Sequence, residues 1–150
     1  MAVTSKVSEE FTKECLTAEH DLVSDTIKCA LLGATFTTYD PAIHKEYGTA
    51  GISSTEVASG NGYTTGGVTL ANIAVTIASN KSHVACDNAA WTAAVGAIAD
   101  AKAAVIYNGT HASKTIICCI EFGATYSTPA GTSLEIDFSN GLLQGTPNLA

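Results

Sequence analysis

Residues 60–77 read GNGYTTGGVTLANIAVTI, and this stretch decides the fold class. Glycines at 60, 62, 66 and 67 give the backbone access to positive φ, which side-chained residues avoid. The approach feeds directly into alternating Val, Leu and Ile, the period-two signature of a strand. Val68 and Leu70 point to one face, whereas Ile73, Val75 and Ile77 share a face of the other parity. That change predicts a β-bulge, or the end of one strand and the start of another. No GxxxxGK[ST] follows and no helix comes next, so residues 60–67 predict a hairpin turn rather than a phosphate cradle.

On the N-terminal side, Val7, Phe11 and Cys15 recur at i, i+4 and i+8 with Leu16 beside them, and Glu9, Glu10, Lys13 and Glu14 fill the other face. This predicts an amphipathic helix over 5–18, capped by Thr4 or Ser5. From Asp25 the period becomes two: Ile27, Cys29 and Leu31 alternate with Lys28, Ala30 and Leu32 in a strand with one well-buried face. Residues 34–51 form a long excursion of the kind that serves binding or interfaces. A short strand around 53–58 is expected before the glycine-rich turn.

On the C-terminal side, SNKS at 79–82 predicts a turn and 83–86 a short strand. The alanine-rich run 92–104 sets helix propensity against the strand pattern of Val105, Ile106 and Tyr107. It is assigned strand over 101–107 and left open over 92–100. Asn108-Gly109 marks a turn, 115–122 an apolar strand covered on both faces, and 123–131 the next turn. Leu134, Ile136 and Phe138 alternate with polar residues in a strand with one wet face. Asn140-Gly141 turns again, Leu142-Leu143 closes the sheet, and residues 145–150 form a tail. Short strands, one N-terminal α-helix and no βαβ rhythm predict a mainly β fold: an antiparallel β-sandwich, jelly-roll-like, or a barrel. At 150 residues, with no repeat or linker, the chain reads as a single domain.

Composition narrows the partners. Apolar residues make up 46% of the chain and charged ones 14%, against about 25% in an ordinary soluble domain. A surface so poor in charge offers little repulsion between neighbours, which suits a permanent assembly and equally a weakly charged monomer. The net charge of −7, with seven scattered lysines and no arginine, argues against a nucleic acid or an anionic membrane as partner. Residues 1–14 contain no apolar signal core, and no run approaches a membrane span. The five cysteines lack CxxC spacing, so they read as reduced, mostly buried thiols, with Cys118 and Cys119 facing opposite sides of a sheet.

Ordered blocks then add up. DTIKCALL at 25–32, GYTTGGVTL at 62–70, Trp91, AVIY at 104–107, IEFG at 120–123 and LEIDFSNGLL at 134–143 follow one another. The series resembles a widespread family of small virion proteins of tailed bacteriophages. Its members read as an N-terminal helix, DTIKVALL, a GYTxGGxxL block, a Trp strand and an I-D-F-G strand. The resemblance spans 25–143 and rests on order and spacing, each block alone being unspecific. It departs at the alanine-rich 92–104 and at Cys118 and Cys119, which leaves the strand between Trp91 and Tyr107 open.

The resemblance implies a non-enzymatic capsid decoration or cement protein on the virion surface, assembled in the host cytoplasm. Such a protein bridges major capsid protein subunits and self-associates as a dimer or trimer. The alternative is a tail or head-fibre component with a receptor- or glycan-binding role. Phe11, Tyr39, Tyr47 and Tyr63 are the candidate interface residues, on the helix 5–18, the loop 36–51 and the turn 59–67. The loop tyrosines also suit stacking on sugars.

No catalytic, cofactor-binding or metal residue is assigned. His20 with Asp21, and His44 near Asp40 and Glu46, lack metal-site spacing and read as solvated loop residues. His83 and Cys86 fall on opposite faces of a strand, so they make no thiol–base pair. Asn108-Gly109-Thr110 matches a glycosylation sequon only in form.

Overall fold

The computed structural model describes residues 4–78 and 81–145. The elements in chain order are β1 (Thr4–Val7), α1 (Glu9–Leu16), β2 (Ile27–Leu32), β3 (Val68–Thr69), β4 (Ala74–Ala78) and β5 (Lys81–Ala85). Then come β6 (Ala89–Thr92), β7 (Ile98–Asn108), β8 (Ile116–Thr128), β9 (Ser133–Ile136) and β10 (Leu143–Gly145). All pairings between these strands are antiparallel. They form a five-stranded sheet β1-β8-β7-β2-β3, a three-stranded sheet β10-β5-β4 and the pair β6-β9. The mainly β, single-helix class is as expected. The barrel alternative is not: among the described residues no sheet closes on itself, and the layers are sandwich-like. No helix there is long and apolar enough to cross a membrane.

The five-stranded sheet carries two cores. On one face Cys29, Leu31, Ala104, Ile106, Ile117 and Cys118 pack with Phe11, Trp91 and Phe138. On the other, Ala30, Leu32, Val105, Ile116 and Cys119 pack under Phe36, Tyr39, Tyr47 and Ile52. Strand β2 is therefore buried on both faces, not one, and each fully buried Leu or Ile contributes about 2 kcal/mol. Cys118 and Cys119 do face opposite cores. A bulge at Ile117, where Ile106 pairs with Cys118 but Tyr107 with Ile116, keeps both halves of β8 in phase with β7.

The second core overturns the reading of 34–51 as an excursion. The loop lies flat on the sheet as a layer of its own. Lys6 Nζ donates to Tyr39 C=O at 2.9 Å, and Glu121 accepts the Tyr39 N–H at 2.9 Å. Lys102 Nζ donates to Phe36 C=O at 2.7 Å, and Ile116 N–H donates to Lys45 C=O at 2.8 Å.

Several other expectations are corrected. The helix is shorter than 5–18, because β1 pairs with Cys118–Glu121 before it starts. Ser8 donates its own N–H to Ile117 C=O at 2.9 Å and caps the helix with its side chain, in place of Thr4 or Ser5. Of the expected apolar stripe only Phe11 is buried; Cys15 is exposed and Leu16 is 86% exposed. The strand expected at 53–58 is a 3₁₀ turn, Ser53–Thr55, with a single bridge between Glu56 and Leu32.

The alanine run is strand from Ile98, since Ala103 and Ala104 are wholly enclosed between β2 and β8 and the buried Ala101 pairs with Tyr126 of β8, and tertiary pairing overrides propensity. Strand β8 continues to Thr128 and takes up the first part of the turn expected at 123–131, which is confined to the residues around Pro129–Thr132; Gly123, with φ of 76°, sits at an irregularity within the strand. The parity change after Leu70 separates β3 and β4, which lie in different sheets. Leu143 opens β10, which joins the small sheet through β5 instead of closing the main one. Part of the SNKS turn (79–80) and the tail from 146 lie outside the described residues.

Candidate functional site

The polar chemistry concentrates where the loops meet the sheet. In the quoted stretch, Asn61 and Gly62 both have positive φ, at 54° and 94°. Gly60 and Tyr63 exchange two backbone hydrogen bonds across them, at 2.8 and 2.9 Å, so a tight turn forms here, closed by a single bridge and not flanked by the paired strands of the expected hairpin. The turn aims Tyr63 inward.

Tyr63 Oη donates to Glu56 Oε1 at 2.5 Å and accepts the Leu31 N–H at 3.0 Å. Tyr47 Oη donates to Glu56 Oε2, and the Gly66 N–H donates to Oε1 at 2.7 Å. The Tyr47 ring stacks on Tyr107, with centroids 4.2 Å apart, and Tyr107 Oη donates to Gly66 C=O at 2.9 Å. Burial first, and then the bond to the Glu56 carboxylate, pushes the phenols of Tyr47 and Tyr63 far above their usual range. Burial pushes Tyr39 and Tyr107 up to about 12. These tyrosines are fixed as neutral donors that hold the loop, the glycine-rich turn and β2 together.

A second polar cluster joins α1 to the end of β7. The His20 imidazole is fully enclosed, which corrects its reading as a solvated loop residue. Its Nε2–H donates to Glu14 Oε2 at 2.8 Å, and its Nδ1 accepts from Asn108 Nδ2 at 3.0 Å. Asn108 Nδ2 also donates to Asp25 Oδ2 at 2.6 Å, and Asn108 Oδ1 accepts the N–H groups of Thr110 and His111 at 2.9 and 3.1 Å. Every polar atom of that amide is used, so the buried Asn108 offers nothing to glycosylation. His44 is half-buried against Tyr39, and its Nδ1 accepts the Asp40 N–H at 3.0 Å.

The four cysteines other than the exposed Cys15 are inert by the same logic. Burial raises Cys29 and Cys119, brings Cys118 to about 12 and Cys86 to about 11, so none is a ready thiolate.

All four candidate interface residues, Phe11, Tyr39, Tyr47 and Tyr63, lie inside the chain. Their expected exposure is corrected: the loops that carry them turn inward to cover the sheet. That also removes these three tyrosines as a platform for sugars.

The exposed apolar surface lies elsewhere. Strand β4, with the sequence AVTIA, is an edge of its sheet and carries no charge; Val75 is 53% and Ile77 81% exposed. A groove of about 400 Å³ lies beside β1, lined among others by Val7, Ile120, Phe122, Ile136, Phe138 and Leu143. The outward face of β4 had one signal in the sequence, the parity change after Leu70. The Glu56 latch had none, because its three partners lie at unrelated spacings. Compared with family models, curated proteins and solved structures, the chain matches none.

Proposed function

We propose that this chain is a non-enzymatic virion structural protein, a capsid decoration or cement protein that bridges and stabilises neighbouring major capsid protein subunits. The order of blocks from DTIKCALL to LEIDFSNGLL supports the virion class. The observation that carries the bridging role is β4. Among the described residues β4 is an uncharged edge strand, and such an edge presents backbone donors and acceptors, together with Val75 and Ile77, to whatever lies alongside. Left uncovered, such an edge promotes aggregation; covered by another subunit, it supplies both directional hydrogen bonds and apolar burial. Self-association as a dimer or trimer follows the same chemistry, because capsid sites lie on symmetry axes. The neutral tyrosines and high-pKa thiols support a role without catalysis.

The test is copy counting by mass spectrometry on purified virions, coupled to binding of the purified protein to capsids stripped of it. A copy number in proportion to the major capsid protein, with saturable capsid binding, is the expected result. A count at the level of a tail or fibre component moves the protein to the receptor-binding role. A monomer that binds no capsid and is absent from virions overturns the proposal.

A further inference from the structure

We infer that Glu14, Glu19 and His111 form a binding site for a divalent transition-metal ion of the zinc class, at the C-terminal end of α1. One carboxylate oxygen from each glutamate and one ring nitrogen of His111 lie within 4.8 Å of one another. His111 Nε2 and Glu19 Oε2 are already 3.7 Å apart. Ligand atoms around tetrahedral zinc sit about 3.4 Å from each other, given metal–ligand bonds of about 2.1 Å. Closure therefore needs only a small movement of the exposed Glu19 Oε2 toward His111.

Each of the three residues is oriented from behind. Glu14 accepts the His20 Nε2–H at 2.8 Å, and His20 is itself fixed by the buried Asn108. His111 Nδ1 pairs with the buried Thr115 hydroxyl at 3.0 Å, which leaves Nε2 directed at the glutamates. Glu19 Oε1 accepts from the Thr17 hydroxyl at 2.7 Å, which leaves Oε2 turned to His111. Hydrogen bonds of this kind behind the ligands fix tautomer and ring orientation in metal sites.

The electrostatics point the same way. Two carboxylates converge at a helix C-terminus, where the backbone dipole already favours a cation. Lys13 pairs with Glu10 at 2.6 Å, and its charge also acts on Glu14 and Glu19 from outside the site. Carboxylate and imidazole ligands suit Zn²⁺, with water completing the sphere on the open side. A bound ion ties the end of α1 and the segment after it to the turn between β7 and β8. This site is independent of the role assigned to β4.

The experiment is zinc titration of the chelator-treated full chain by calorimetry, with thermal unfolding in parallel. The expected result is one ion per chain and a melting temperature raised by about 5 °C at saturation. Glu19→Gln and His111→Gln each weaken binding by tenfold or more, while the metal-free melting temperature of Glu19→Gln stays at the parent value. Cys15→Ser binds as the parent does, and cobalt in place of zinc gives ligand-field bands without thiolate charge transfer. No zinc uptake at millimolar metal overturns the inference. So does equal binding by both site variants, or binding that disappears with Cys15→Ser.

Discussion

Tyr63 Oη lies 2.5 Å from Glu56 Oε1 while accepting the Leu31 N–H at 3.0 Å, so one phenol couples the glycine-rich turn to the central sheet. Replacing Tyr63 with Phe leaves the buried Leu31 N–H without its partner, while Glu56 Oε1 keeps the Gly66 N–H. Replacing Tyr47 with Phe removes only a donor to the other oxygen. Tyr63→Phe is expected to cost about 3 kcal/mol and Tyr47→Phe about 1 kcal/mol. Denaturant unfolding followed through the fluorescence of the buried Trp91 measures both, and equal costs would refute the latch as described.

Gly67 makes the sharpest prediction about backbone. Its φ is +71°, and a Cβ there would sit 1.9 Å from the Cys29 carbonyl oxygen. Gly131 has a similar φ of +81° but open space around it. Gly131→Ala is therefore expected to lose about 1 kcal/mol from conformation alone. Gly67→Ala must also displace β2, and is expected to lose more than about 4 kcal/mol or to yield no folded protein. Expression followed by thermal melting separates the two, and a Gly67→Ala variant as stable as Gly131→Ala contradicts the packing.

What was legible in the sequence was what period two and turn chemistry encode locally. Strand β2, the Asn61-Gly62 turn and the separation of β3 from β4 follow from alternation and from glycine's freedom. Local pattern yields where a distant partner decides. Val7 continues a helical stripe on paper, yet it pairs with Cys118 across more than a hundred residues of chain. Ala103 and Ala104 favour helix by propensity, yet two neighbouring strands claim them. Tyr39, Tyr47 and Tyr63 look like surface anchors because their loops are polar, but Tyr39 and Tyr47 cover one face of the sheet and Tyr63 packs into the core on the other. His20 met Asn108 only through the fold.

Alkaline pH probes the buried acids. The Cys118 thiol moves from its usual 9.0 to about 12 and Cys86 to about 11, while Tyr39 and Tyr107 move from 10.0 to about 12, burial being the leading cause in each. Between those limits the unfolded chain has released protons that the folded chain still holds, so stability falls as pH rises. It is expected to be flat from pH 7 to about 9 and then to decline toward about 12. Thiol titration adds a count: Cys15 reacts at once, Cys86 slowly, and Cys29, Cys118 and Cys119 only on unfolding. Rapid labelling of all five in native buffer contradicts the core as described.

The edge strand β4 supplies the last prediction. Ile77 is 81% exposed and touches no core cluster, so Ile77→Lys should change monomer stability by no more than about 0.5 kcal/mol. A lysine on that edge nevertheless blocks strand addition, because the incoming chain must bury an unpaired charge. Self-association and capsid binding are therefore expected to disappear together in Ile77→Lys, as read by light scattering and co-sedimentation. Leu16→Lys places the same charge at the end of α1, 86% exposed and away from the edge. Loss of binding in Ile77→Lys alone assigns the contact to β4. Loss in Leu16→Lys alone transfers it to the helix, and full binding by both removes these two surfaces from the interface.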